Sequence, residues 1–238
     1  MGPLDGLDVV ILAGGRGTRL AALGLGCQKT VADVGGRPFL LRLLDRLAAE
    51  GAARAVLAVG HRSEDVRRVV SRRRGAPEIV LSEEARPLGT GGALALARRH
   101  VRSSPVVVMN GDTWAPVDLG RLLAAHRTRR APITLAVAPR ADLRDVGCVE
   151  VSADGRVRRF EEKAQAPGGG HASAGVYVFE AAALAALGEP RPCSLERAVL
   201  AGAAGRGLHA VVFDAPFLDI GSPEAYLGAG RWFTEGPP

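Results

Sequence analysis

Three glycines in four positions, Gly14, Gly15 and Gly17, follow the apolar run Val9-Val10-Ile11-Leu12-Ala13, with Arg16 and Arg19 interleaved. Glycine frees the backbone to turn its N–H groups inward around an anion, and arginine can clasp phosphate through two parallel bonds. The chemistry on offer is phosphate binding at the end of a strand. The spacing is neither the G-x-G-x-x-G of dinucleotide sites nor the G-x-x-x-x-G-K-[ST] of P-loops, and a tight turn accounts for the glycines equally well. Lysine usage adds a second signal. Of 31 basic side chains, 29 are arginine, and the two lysines are Lys29 and Lys163. In a chain that uses arginine for every other cation, a lysine marks a place for a compact point charge on a flexible stem. The histidines, His61, His100, His126, His171 and His209, show no ligand spacing, so no zinc site is expected.

These residues need strands to carry them. Short apolar runs at 9–13, 55–59, 78–82, 106–109 and 133–138 read as strands, alternating with helices at 38–51, 63–73, 90–100 and 118–127. Ser63 is expected to cap the second helix, with Glu64 and Asp65 in its first turn. The run at 106–109 has no polar face and reads as central and parallel. The order then changes. A hairpin is expected over 148–161 with an Asp154-Gly155 turn. It is followed by a strand at 175–179, a helix at 194–203, a strand at 208–213 and a last helix from Pro223. Repeated βα units predict an α/β, three-layer, Rossmann-like mixed and mostly parallel sheet with a small hairpin region. Ligands of such sheets sit at the carboxyl ends of the strands, near a switch in strand order. No linker divides the chain, and a single domain over 1–238 is expected.

Composition narrows the function classes. Hydrophobic residues make up 47% and charged residues 24% of 238, which suits a globular domain. No apolar run reaches the ~18 residues of a membrane span. The first ten residues hold two aspartates and no basic residue, unlike a signal peptide. Cys27, Cys148 and Cys193 form no framework, so a cytoplasmic location is expected. The net charge is +6, but aromatics are only 4% and the arginines are dispersed, so no nucleic-acid partner is expected. The dense run of Arg67, Arg68, Arg72, Arg73 and Arg74 reads as a solvated helix face.

Six segments in order resemble sugar-1-phosphate nucleotidyltransferases, and heptose and mannose 1-phosphate guanylyltransferase-like members in particular. They are Leu12-Ala13-Gly14-Gly15-Arg16-Gly17-Thr18-Arg19-Leu20 with Lys29 beyond it, Pro87-Leu88-Gly89-Thr90-Gly91-Gly92-Ala93, Asn110-Gly111-Asp112, Phe160-Glu161-Glu162-Lys163, Ser173-Ala174-Gly175-Val176-Tyr177-Val178-Phe179, and Asp219-Ile220-Gly221-Ser222-Pro223-Glu224-Ala225-Tyr226. Both lysines fall where the resemblance asks for lysine. It implies the nucleotide-diphospho-sugar transferase type of sheet, a nucleotide-binding part near 8–115 and a sugar-phosphate part near 130–225. Residues 12–18, Gly89, Thr90, Gly91 and Gly111 would bind the nucleotide, with Gly89 to Gly92 near the base. Arg19 and Lys29 would hold the NTP phosphates, and Lys163 the sugar 1-phosphate and α-phosphate. Gly147, Glu162, Ser173 and Gly175 are the sugar-side candidates. For Thr90 and Ser173 a strand or capping role fits as well. Mg²⁺ is the implied cofactor, on Asp112 and Asp219. Each of these follows an apolar run and so should lie at one sheet edge, although a turn or helix-cap carboxylate is the alternative for both. The resemblance departs at Gln28-Lys29-Thr30, where the family has Pro-Lys-Pro.

The implied reaction joins an NTP and a sugar 1-phosphate, with GTP and D-glycero-D-manno-heptose 1-phosphate favoured. ATP, UTP, CTP, dTTP and hexose phosphates stay open, and the short chain argues against an added β-helix or acyltransferase domain. A non-catalytic sugar-nucleotide-binding subunit is the alternative. A Rossmann oxidoreductase is disfavoured by the missing G-x-G-x-x-G and by Val59-Gly60-His61, which puts no acid after the second strand. A homo-oligomer is possible on the general prior for soluble enzymes.

Overall fold

The computed structural model describes residues 2–144, 146–162 and 168–236. In chain order the elements are β1 (Asp8–Ala13), α1 (Phe39–Ala49), β2 (Arg54–Val59), α2 (Ser63–Val70), β3 (Glu78–Glu83), α3 (Gly89–Ala97), β4 (Val106–Asn110), β5 (Thr113–Trp114) and α4 (Leu119–Arg129). There follow β6 (Ile133–Arg140), β7 (Gly147–Val151), β8 (Val157–Glu162), β9 (Gly170–Phe179), α5 (Ala181–Ala185), a π-helical segment Leu195–Leu200, α6 (Ala201–Ala203), β10 (Leu208–Val212), β11 (Leu218–Asp219) and α7 (Pro223–Thr234).

The main sheet runs in the order β10-β6-β9-β4-β1-β2-β3. Strands β1, β2, β3 and β4 are mutually parallel, as are β6 and β10. Strand β9 lies antiparallel between β4 and β6. The expectation for residues 106–109 therefore holds on one side only: β4 is central, parallel to β1 and antiparallel to β9. A strand buried on both faces carries no polar stripe, and nothing in such a run distinguishes the two directions. The β7–β8 hairpin forms as expected, with Gly155 at φ +82°, and hangs from β9 through Cys148 and Val149.

Alternation along the strands divides the core into two. Val9 and Ile11 of β1 pack with Phe39, Leu43 and Leu47 of α1 and with Leu122 of α4 on one face. Val10, Val56 and Val108 pack with Leu94 of α3, Leu184 of α5 and Leu195 on the other. This is the three-layer arrangement, each helix burying its apolar stripe on the sheet. Among the described residues no helix is long and apolar enough to cross a membrane.

Two helices differ from expectation. Helix α2 ends at Val70, and its cap is Arg62 in the left-handed region (φ 55°), not Ser63. The Ser63 hydroxyl donates instead to the Glu83 carboxylate at the end of β3. The expected helix over 194–203 is a π-helical segment followed by one α turn, capped by Ser194, whose hydroxyl accepts the Arg197 N–H.

Candidate active site

Strands β1 and β4 run side by side, with Leu12 opposite Asn110. From here the chain order moves outward to β2 and β3 on one side and to β9 and β6 on the other, so their carboxyl ends open at the switch in strand order. A cavity of about 610 Å³ occupies that position.

One wall is the loop after β1. Leu12, Ala13, Gly14, Gly15, Arg16, Thr18 and Arg19 all line the cavity. Gly17 does not; it takes φ +60°, and a Cβ there would stand 3.3 Å from the Lys29 Cβ. Its role is to make the turn against which the lysine packs.

The floor is made of charge. Lys29 reaches Asp112 in an ion pair in which the lysine side chain is 12% exposed. Asp112 is joined by Asp219 through a short ladder that sequence periodicity does not show. β11 pairs antiparallel with β5, setting Asp219 opposite Thr113, and the Ile220 N–H donates to the Asp112 carbonyl (3.0 Å). Asp219 thus reaches Asp112 from this separate two-residue ladder and not from the edge of the main sheet. Burial pushes the Asp219 carboxyl up from its ordinary range, and the Asp112 charge adds to the shift; Lys29, the Gly221 N–H (2.7 Å) and Arg19 oppose it. A Cβ on Gly221 would fall 2.7 Å from Asp219 Oδ1 and 2.9 Å from Arg19 Nη2, so the guanidinium and the carboxylate share that corner. Two hard carboxylates lining one cavity within electrostatic reach of each other, one of them buried at a cost, form a donor set suited to a divalent cation completed by phosphate oxygens and water. Among the described residues no cluster of three or more His, Cys, Asp or Glu offers a cation site made by protein alone.

The other end is neutral to acidic. Thr90 donates to Glu196 (2.8 Å) and accepts the Leu195 N–H (2.8 Å). The Ser194 hydroxyl lies between two carboxylates, 3.1 Å from Glu162 and 3.0 Å from Glu196, and Arg197 pairs with Glu162 at 2.8 Å. Gly147, Ser173, Gly175 and the buried Tyr177 complete this end, with Ser173 Oγ 3.3 Å from the Tyr177 hydroxyl. Gly175, at φ +67°, bends β9 where a Cβ would strike Asn110. Lys163 lies outside the described residues.

Some expected nucleotide residues face elsewhere. Gly89 and Thr90 line the cavity, but Gly91 and Gly111 do not. A Cβ on Gly91 would sit 2.8 Å from Cys193 Sγ, and one on Gly92 would overlap the Arg191 carbonyl, so these glycines let α3 pack on the segment before the π-helix. Gly111 lies under Leu12 and Thr30, its N–H donating to the Leu12 carbonyl (2.9 Å). Conversely, Glu84, Ser194 and Glu196 line the cavity without having been singled out, as do Gln28, Thr30 and Asn110, which were named only within motifs and given no role. Glu84 accepts the Leu88 N–H (3.0 Å), and burial raises its pKa.

Residues 8–235 match the family model described as nucleotidyl transferase. The chain is 34% identical over 229 residues to the mannose-1-phosphate guanylyltransferase of Mycobacterium tuberculosis, covering 93% of this chain and 63% of that protein. It is 32% identical over 230 residues to the D-glycero-alpha-D-manno-heptose 1-phosphate guanylyltransferase of Aneurinibacillus thermoaerophilus, covering 94% and 97%. This chain thus spans under two thirds of the first relative's length and nearly all of the second's. The crystal structure of HddC from Yersinia pseudotuberculosis superposes with a TM-score of 0.84 at 28% identity, over 95% of this chain and 99% of that one. The same protein complexed with GMP-PN gives 0.83.

Proposed function

This chain belongs to the nucleotidyl transferase family, and from that premise we propose that it transfers a nucleoside monophosphate from an NTP to a sugar 1-phosphate and releases pyrophosphate. The observation that carries the reading is the meeting of Arg19, Lys29, Asp112 and Asp219 at one end of a single cavity walled by the glycine loop. Two polyanions must meet for this reaction, so positioning and charge neutralisation supply most of the catalysis. A phosphate oxygen of the sugar 1-phosphate attacks the α-phosphorus in line; the new P–O bond forms as the α–β bridge breaks, and pyrophosphate takes the electron pair. The attacking phosphate is already ionised and needs no base.

Arg19 and Lys29 are assigned to the β- and γ-phosphates and the departing pyrophosphate, and Lys163 to the sugar 1-phosphate and α-phosphate. Asp112 and Asp219 are the residues to hold Mg²⁺, which when bound would neutralise phosphate charge. The raised pKa of Asp219 beside Asp112 supports that assignment, because a divalent cation relieves their repulsion.

GTP is the favoured nucleotide. Guanine presents an adjacent N1–H and N2–H pair, which a carboxylate such as Glu84 accepts with both oxygens; adenine, cytosine, uracil and thymine present mixed donor–acceptor edges there. The guanylyltransferase names of the relatives support the same choice. Glu162 and Glu196, bridged by Ser194, suit the hydroxyls of a neutral sugar. The heptose 1-phosphate relative matched across 97% of its length favours D-glycero-D-manno-heptose 1-phosphate.

The test is pyrophosphate release from purified protein with Mg²⁺, each NTP in turn, and heptose, mannose, glucose and N-acetylhexosamine 1-phosphates. Release should require Mg²⁺ and be fastest with GTP and the heptose phosphate, and Asp112→Ala should abolish it. Nucleotide binding without release from any pair would overturn the reading in favour of a binding subunit.

A further inference from the structure

Lys29 stands on a segment with no regular strand or α-helix to hold it. It opens a single 3₁₀ turn, Lys29–Val31, and its two neighbours are among the most buried polar residues in the molecule: Gln28 and Thr30 are each 2% exposed. A buried polar side chain is costly unless its groups are paired, and the Gln28 partners describe a clamp. Its amide nitrogen donates to the Ala13 carbonyl (2.7 Å) at the end of β1. Its amide oxygen accepts both the Thr30 N–H (2.6 Å) and the Thr30 hydroxyl (2.5 Å), closing the turn around Lys29. Its own backbone N–H donates to Asp65 (3.0 Å), a carboxylate that also takes Arg62 Nε (2.7 Å). Thr30 in turn packs on Gly111, whose added Cβ would stand 3.2 Å from Thr30 Cγ2.

The two anchors are the carboxyl ends of adjacent strands: Ala13 ends β1, and Gly111 follows β4 and precedes Asp112. The turn is therefore referenced to both strands at once, and the Lys29 ammonium meets the Asp112 carboxylate between them. We propose that Gln28, backed by Asp65, is a positioning residue that holds the Lys29 ammonium in register with Asp112 and hence with the transferred phosphates. This rests on the reading of Lys29 as a phosphate-binding lysine. The hydrogen bonds do here what stiff backbone residues would do elsewhere: they remove the freedom of the turn, since a flexible lysine stem is useful only if its root is fixed.

The chain has only two lysines, so the root of this one can be followed directly. Wild type, Gln28→Met, Asp65→Ala and Asp65→Asn would be compared in two measurements: the rate at which Lys29 is acylated by limiting acetic anhydride, read by peptide mass spectrometry, and steady-state pyrophosphate release. Gln28→Met keeps the volume and loses the clamp. It should acylate Lys29 several-fold faster and lower kcat by about 10- to 100-fold, the order expected when a catalytic charge is displaced by about an ångström, with the KM for sugar phosphate little changed. Asp65→Asn, which keeps an acceptor for the Gln28 N–H, should recover most of what Asp65→Ala loses. A folded Gln28→Met protein with wild-type acylation and wild-type kcat overturns the proposal. Should that variant not fold, equal behaviour of Asp65→Ala and wild type overturns it. If wild type releases no pyrophosphate while Lys29 acylation still follows the clamp, the positioning stands and the transferase reading falls.

Discussion

Glu84 lies where the cavity meets Gly14, one oxygen on the Leu88 N–H and the other 3.2 Å from where a Gly14 Cβ would be. Burial raises its pKa, with the Leu88 bond opposing. A carboxyl with a raised folded-state pKa holds its proton better folded than unfolded. Its contribution to stability is present below the ordinary carboxylate pKa and is lost as pH rises through the raised value. The ionised form is the one that can accept two guanine donors. Glu84→Gln, neutral throughout and still able to accept the Leu88 N–H, should raise the KM for GTP by about 10- to 100-fold, in line with the worth of one bidentate pair. It should leave neutral-pH stability equal or slightly higher. In wild type the GTP KM should rise as pH falls through the raised pKa, and the variant should lose that dependence; an unchanged KM and pH profile would remove Glu84 from base recognition. Nothing in the sequence separates Glu84 from Glu83. The structure does: Glu83 turns out to Ser63 and Arg67, and Glu84, one residue on, lines the cavity. Lys29 was legible because lysine is scarce in this chain, whereas Glu84 is one acid among 25 acidic residues.

Among the elements, glycines that look alike in sequence do different work, and substitution separates them. A Cβ on Gly221 would press on Asp219 Oδ1 and Arg19 Nη2, which are side-chain ends and not backbone. Gly221→Ala should fold with a melting temperature near wild type and lose at least about 10-fold in kcat, because both groups must move from the corner proposed to hold the phosphates. A Cβ on Gly92 would meet the backbone carbonyl of Arg191, which cannot swing aside. Gly92→Ala should cost about 1–3 kcal/mol in denaturant unfolding, as overpacking does, with kcat per folded molecule little altered. The reverse pattern would show that the 89–92 turn serves the nucleotide directly and the 219–221 turn only the fold. The long elements were legible from periodicity, and β1, α1 and β2 formed where expected. The β5–β11 ladder was not, because two residues per strand are too few to show a period. That ladder turns two separate aspartates into one site.

The whole molecule hangs on β9. It runs against β4 on one side and β6 on the other, and so ties the strands that lead into the glycine loop and Asp112 to β6 and to the β7–β8 hairpin that carries Glu162, with Ser173 on β9 itself. The parts near 8–115 and 130–225 were implied by the resemblance, and the order of elements does change between them. The antiparallel strand that joins the two regions was not, because Val176, Tyr177, Val178 and Phe179 are buried on both faces and look the same in either direction. Both core clusters draw residues from the two regions, so the chain should unfold as a single unit. Far-UV circular dichroism and the fluorescence of Trp114 and Trp232 should give coincident transitions in urea. Mg²⁺ with GTP at 100 times its Kd should stabilise the native state by about 2.7 kcal/mol and shift both probes by the same amount, although the proposed nucleotide-binding part is only one of the two. Two separated transitions, or a shift confined to one probe, would mean that the sugar-side strands open independently and that β9 is a hinge and not a tie.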